Sequence, residues 1–117
     1  MNALPHAALQ RARVLDGELC VAGMRLSQLA QRVGSTPFYA YERDALRQRV
    51  EELRAVFPSE VRLHYAMKAN PMPELVAYMA ALVDGVDVAS AGELAIALHA
   101  GANPREVSFA GPGKSEA

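Results

Sequence analysis

Val61-Arg62-Leu63-His64-Tyr65-Ala66-Met67-Lys68, running on into Ala69-Asn70-Pro71, is the stretch whose reading decides the fold. In an extended chain with its two-residue period, Val61, Leu63, Tyr65 and Met67 share one side. Arg62, His64, Ala66 and Lys68 share the other, so the strand carries one bulky apolar face and one small or polar face. The same division recurs downstream. Val86 and Val88 oppose Asp87 and Ala89, and Val107 and Phe109 oppose Ser108 and Ala110. Central strands of an open doubly wound sheet are buried on both faces and read as continuous apolar runs. Here one face is fit to meet helices and the other to line a space with room and polarity. A closed β/α barrel with a ligand at its mouth suits these faces better than an open sheet, although both are compatible with strand–helix alternation.

Working outward, the expected strand ends near Lys68, Ala89 and Gly111 are about 21–22 residues apart, the length of one compact strand–helix unit with short loops. Such alternation implies parallel strands with helical crossovers. A helix is expected from about Pro73 to Val83, with proline in its first turn. Asp84-Gly85 turns the chain into a short strand over Val86–Ala89. Ser90 and Glu93 have capping-box spacing for the next helix, which stops at Gly101. Val107–Ala110 is the third short strand.

Upstream, Asp44 is expected to cap a helix to about Val56, with Leu46, Val50 and Leu53 on its apolar side and Pro58 beyond its end. Thr36–Glu42 (TPFYAYE) is aromatic-rich and reads as a strand. Leu26–Val33 (LSQLAQRV) places Leu26, Leu29, Ala30 and Val33 on one helical face, with Gly34 as its C-terminal cap. Asp16-Gly17 is a turn signal beside strand-like residues Glu18–Arg25, and residues 1–13 read as a loose leader. Ser115 is placed to cap a further helix. The domain reading is a leader and lead-in segment over 1–35 and an incomplete β/α barrel over 36–117.

The chain has 117 residues, half of them hydrophobic, with a formal net charge of −1. That balance gives no electrostatic reason to expect nucleic acid or an anionic membrane as partner. Its arginines are interleaved with acids, as on solvated helix faces. One cysteine, Cys20, excludes an internal disulfide and reads as a buried small hydrophobe. No apolar run approaches the roughly 18 residues of a spanning helix. The first residues lack the pattern of a signal peptide, so the cytoplasm is the expected compartment.

Lys68 is the residue with chemistry. It closes an apolar strand, lies on the polar face and precedes Ala69-Asn70-Pro71. Barrel enzymes place their reacting groups at the C-terminal ends of strands, and a lysine partly desolvated there is fit to act as a Schiff-base nucleophile. Asp87 lies on the same face one strand along. It reads either as a turn-capping carboxylate or as a charge beside Lys68. His64 points the same way but deeper, and reads as a hydrogen-bonded core histidine. Gly111-Pro112-Gly113-Lys114-Ser115 lacks the full G-x-x-x-x-G-K-[ST] pattern and reads as a strand-to-helix turn rather than a nucleotide loop.

Four segments carry a resemblance, in order and at the right spacing. His64-Tyr65-Ala66-Met67-Lys68-Ala69-Asn70-Pro71 resembles the cofactor-lysine segment of fold-type III pyridoxal-phosphate (PLP) enzymes, the alanine racemase-like barrel class. Asp87-Val88-Ala89-Ser90-Ala91-Gly92-Glu93-Leu94 resembles the next barrel unit of the diaminopimelate/ornithine decarboxylase group. Ser108-Phe109-Ala110-Gly111-Pro112-Gly113-Lys114 resembles the third, and Ser35-Thr36-Pro37-Phe38-Tyr39-Ala40-Tyr41 the strand that leads in. The wording is closest to diaminopimelate decarboxylases and their exosortase-associated relatives.

The resemblance implies a PLP-dependent amino-acid decarboxylase whose internal aldimine forms on Lys68, with Asp87 and Ala66 beside the cofactor: Asp87 as a charge and Ala66 as a small side chain that leaves room for the ring. In that family the ring-stacking histidine comes from a later strand, so His64 does not inherit its role. The resemblance also implies a homodimer for the complete protein. Phosphate-binding glycines, the acid facing the pyridine nitrogen and a β-rich second domain would come from segments beyond these. The chain therefore reads as an N-terminal fragment, expected to be poorly soluble and without turnover alone because of its open strand edges. A racemase on the same barrel, which would place arginine against the pyridine nitrogen, and a non-catalytic relative acting by partner binding are the alternatives.

Overall fold

Short amphipathic segments separated by glycine and proline build this chain. A computed structural model describes residues 12–114 and divides the chain into two compact units, 1–45 and 46–117. Residues 1–11 of the expected leader and the Ser115 cap lie outside the described residues.

The first unit holds a three-stranded antiparallel meander, β1 (Arg13–Leu15), β2 (Glu18–Val21) and β3 (Met24–Arg25), followed by α1 (Leu26–Val33). Both connections are two-residue turns with two positive φ angles, at Asp16-Gly17 and Ala22-Gly23, whose twist suits tight hairpins. The second turn splits what reads as one strand over Glu18–Arg25. Alanine is a rare occupant of the left-handed region, which is why its sequence signal is weak. Arg13–Leu15, expected to begin as loose leader, pairs with Glu18–Cys20 instead. Cys20 is buried. The Glu18 carboxylate accepts from the backbone N–H and hydroxyl of Ser27 in the first turn of α1. These two bonds, the backbone one foremost, hold its carboxyl below the usual glutamate value of 4.5. Gly34, with φ 80°, closes α1 through its N–H on the Ala30 carbonyl at 2.9 Å.

The expected strand over Thr36–Glu42 does not form. Tyr39 and Tyr41 stack on each other with centroids 6.4 Å apart. Among the described residues the segment pairs with no neighbouring strand, and without a partner it has no ladder to hold it.

The second unit is a strand–helix succession. Helix α2 runs over Arg43–Val56, with Asp44 inside its first turn rather than capping it. Then come β4 (His64–Ala66), α3 (Pro73–Leu82), β5 (Gly85–Val88), α4 (Ala91–His99) and β6 (Val107–Phe109). Strands β4, β5 and β6 are parallel and neighbour one another in chain order. Parallel crossovers are right-handed almost without exception, so sequential order puts both connecting helices on one face of the sheet.

Packing agrees. Met67, Val76, Val86, Val88, Ala97 and Ala102 form one core between the sheet and helices α3 and α4, joined by Tyr65, Val107 and Phe109. Each fully buried Met or Val stabilises the fold by about 1.5–3 kcal/mol relative to exposure. A second cluster of Val50, Leu75 and Met79 seats α2 against α3. The apolar faces of β4, β5 and β6 thus meet helices, and within this unit the face carrying Ala66, Asp87 and Ser108 is left bare. This is a one-sided α/β strip, as expected of part of a β/α barrel, not a doubly covered sheet.

Two hydrogen bonds, one of them also an ion pair, fasten the start of β5. Asp84 accepts from the Leu63 N–H at 2.7 Å and from Arg54 at 3.1 Å. The Leu63 bond first and Arg54 second lower its carboxyl from the usual aspartate value of 3.8.

Candidate active site

Strand β4 ends at Ala66, two residues earlier than the sequence reading has it. Met67–Ala69 turn instead as a single 3-10 helix. Met67 is fully buried among the core residues on the helix side, and that anchor leaves Lys68 to project the other way. The following loop is pinned as well. The Tyr65 hydroxyl donates to the Asn70 carbonyl at 2.7 Å, and the Asn70 side chain accepts from the Met72 N–H at 3.1 Å. Lys68 therefore leaves a backbone fixed before and after it.

The Lys68 side chain lines a cleft on the bare face with Ala66, Asp87, Ala89, Glu93 and Ala110. Three of these are alanines, one from the row of each strand, so the floor is low and the charged side chains stand above it. Lys68 is exposed, where the sequence reading expected partial desolvation. A bare sheet face supplies no wall above it. It forms no hydrogen bond or ion pair with another described residue, so its amine is available. The cleft, about 90 Å³, is far below the few hundred Å³ of a complete small-molecule site.

Asp87 and Ala66 stand where the sequence places them, in the same cleft as Lys68. Ala66, Asp87 and Ser108 are direct partners across the sheet. Asp87 is tied to two neighbours: Ser108 Oγ donates to its Oδ1, and His64 Nδ1 lies 3.3 Å from the same oxygen. It is thus neither a turn cap nor paired directly to Lys68. His64 is hydrogen-bonded, as expected, but it is no core residue; its side chain is 27% exposed.

Glu93 was legible only as a capping residue. It lines the cleft while its carboxylate accepts from the Ala89 N–H at 3.1 Å, one residue before the Ser90 N–H of a standard capping box. Ser90 Oγ caps α4 as expected, accepting from the Glu93 N–H at 3.1 Å. Gly111–Gly113 form an irregular bend past β6, so the nucleotide-loop reading gains nothing.

A larger cleft of about 340 Å³ between α3 and α4 is lined by Pro73, Ala77, Ile96 and His99. Its one titratable side chain, His99, is turned onto the Ala95 carbonyl of its own helix at 2.9 Å. The cleft beside Lys68 is therefore the candidate site.

Residues 43–117 match the family described as the pyridoxal-binding domain of pyridoxal-dependent decarboxylases. Among curated proteins, the diaminopimelate decarboxylase of Aquifex aeolicus is 43% identical over 101 residues, covering 86% of this chain and 24% of that protein. The crystal structure of AQ1208 from Aquifex aeolicus superposes with a TM-score of 0.80 at 41% identity, over 92% of this chain and 26% of the other. The diaminopimelate decarboxylase of M. jannaschi superposes with a TM-score of 0.71 at 26% identity, over 87% and 25%. The chain spans about a quarter of the length of the relatives it matches.

Proposed function

The chain belongs to the pyridoxal-dependent decarboxylases through their pyridoxal-binding domain, and from that premise we propose that Lys68 holds the cofactor and that the whole protein decarboxylates an amino acid of the diaminopimelate type. The cofactor of the family is pyridoxal phosphate. The observation that carries the reading is an unengaged lysine amine at the C-terminal end of a parallel strand, over a floor of alanines on the face no helix covers. A primary amine in that position, with flat open space beside it, fits an aldehyde cofactor with a planar ring.

When bound, the cofactor supplies an electron sink for the bond that releases carbon dioxide. The chain's own residues do the rest. Lys68 Nζ attaches the cofactor and, when free, is a general acid–base amine at the mouth. The methyl group of Ala66 leaves room beside the ring. Asp87 contributes a negative charge to the cleft, which attracts a cationic amine. The substrate assignment rests on the named relatives, diaminopimelate decarboxylases at 43% and 26% identity. Homodimerisation of the complete protein and a cytoplasmic location belong to the same proposal. Among the described residues no helix is long and apolar enough to cross a membrane.

On this reading residues 1–117 alone supply one wall of the site and turn nothing over. The decisive experiment adds pyridoxal phosphate to the full-length protein and follows its absorbance, with borohydride reduction and peptide mapping. A reduced cofactor adduct on Lys68, absent from Lys68→Ala, supports the assignment. A chromophore that survives Lys68→Ala rejects it.

A further inference from the structure

His64, Asp87 and Ser108 come from three successive strands and meet on the bare face. His64 Nδ1 lies 3.3 Å from Asp87 Oδ1 and 3.2 Å from Ser108 Oγ. Ser108 Oγ also donates to Asp87 Oδ1. Asp87 and Ser108 are register partners, whereas the partner of His64 is Gly85. The ring reaches its neighbours by lying across that glycine. A Cβ at position 85 would stand 2.6 Å from His64 Cε1 and 2.7 Å from Nε2.

The protons of this grouping can be assigned. A serine hydroxyl has one hydrogen and a carboxylate has none. Ser108 gives its hydrogen to Asp87, so Nδ1 faces two acceptors and must itself carry a proton. The neutral ring is then the Nδ1–H tautomer. This is not a hydrolytic relay, in which histidine would accept from serine at one nitrogen and donate to the carboxylate from the other. Here one nitrogen serves both.

Both His64 Nδ1 and Ser108 Oγ meet Asp87 at Oδ1, while the residue lines the same cleft as Lys68. An aspartate side chain 44% exposed would otherwise move among rotamers. We propose that His64 is a positioning residue: with Ser108 it clasps Oδ1 of Asp87 and so holds the remaining oxygen and the charge toward the amine of Lys68. The inference deepens the reading of Lys68 as the cofactor-holding residue and rests on it.

The test uses the full-length protein. Long-range ¹H–¹⁵N NMR at pH 8 is expected to show His64 protonated at Nδ1 and not at Nε2; the Nε2–H tautomer overturns the clasp. Pyridoxal phosphate affinity, read from absorbance, is expected to fall roughly tenfold in His64→Leu, the size of one lost hydrogen bond to a charged group. His64→Asn, whose amide reaches the position of Nδ1, is expected to recover most of it. In an Asp87→Asn background His64→Leu is expected to add little. A full tenfold loss there overturns the proposal, because His64 then acts by a route that bypasses Asp87. Lys68→Ala in the same assay separates the two readings. A retained chromophore fails the lysine assignment and this inference with it, whereas a lost chromophore with additive His64 and Asp87 effects fails the clasp alone.

Discussion

Replacing Gly85 with alanine forces a methyl group between two strands. The added Cβ would stand 2.3 Å from the Glu106 carbonyl oxygen and 2.6 Å from the His64 ring. Gly85 is buried in the middle strand of β4-β5-β6. The ring can swing aside, but the carbonyl belongs to backbone beside β6 and moves only with it. Overpacking of this kind costs about 1–3 kcal/mol. Displacing the imidazole from Asp87 adds about 1.5 kcal/mol, the low end for a bond to a charged group, since the pair is partly exposed. A stiffer unfolded chain returns about 0.4–1 kcal/mol. The net loss is about 1.5–4 kcal/mol. Urea unfolding followed by far-UV circular dichroism measures it. In a His64→Ala background the ring share of the penalty should vanish while the carbonyl share persists. Refutation is simple: if Gly85→Ala unfolds within about 0.5 kcal/mol of the parent, the ring and the carbonyl do not converge on this glycine.

The remaining predictions concern packing, capping and pH. Met67→Ala should cost about 2–5 kcal/mol in a denaturant titration, because its side chain is fully buried and leaves a cavity. It should also loosen the turn that presents Lys68, seen as faster loss of pyridoxal phosphate on dialysis. Ser90→Ala should cost about 1 kcal/mol through loss of the α4 cap, read as a lower urea midpoint with unchanged m. Asp84 and Glu18 both have carboxyls lowered by their hydrogen bonds. Their contribution is therefore fully present above the unfolded values of about 3.8 and 4.5 and is lost as pH falls below them through the folded ones. Unfolding midpoints measured from pH 6 down to pH 2.5 should decline through that window, and Asp84→Asn should flatten the decline.

Much of this architecture was readable where a segment's own periodicity settles its conformation. The bounds of α1 and its Gly34 cap match the structure because apolar spacing and a left-handed glycine are local properties. The faces of β5 and β6 were likewise visible, since alternation needs no partner. The segment 36–42 failed for the opposite reason: aromatic composition favours a strand, but only a neighbour can make one. Lys68 was found on the correct face yet placed in a strand, because nothing in Met67-Lys68-Ala69 announces that the ladder stops at Ala66. The contact of His64 with Asp87 and Ser108 depends on which residue lies opposite the histidine, and that is a property of pairing between strands.

The pairing has an arithmetic of its own. Tyr65, Val86 and Val107 form one row and Ala66, Asp87 and Ser108 the next, with members 21 residues apart in the chain. The two crossovers are therefore interchangeable in length, and each sets the phase of the strand it delivers. Losing one residue from the α3–β5 connection without a compensating bulge would rotate β5 by half a turn, thrusting Asp87 into the greasy layer under the helices and Val88 into the open. Losing two would keep the sides correct and slide the carboxylate one rung along the sheet. Natural variants of this segment should accordingly tolerate length changes in even steps far better than in odd ones.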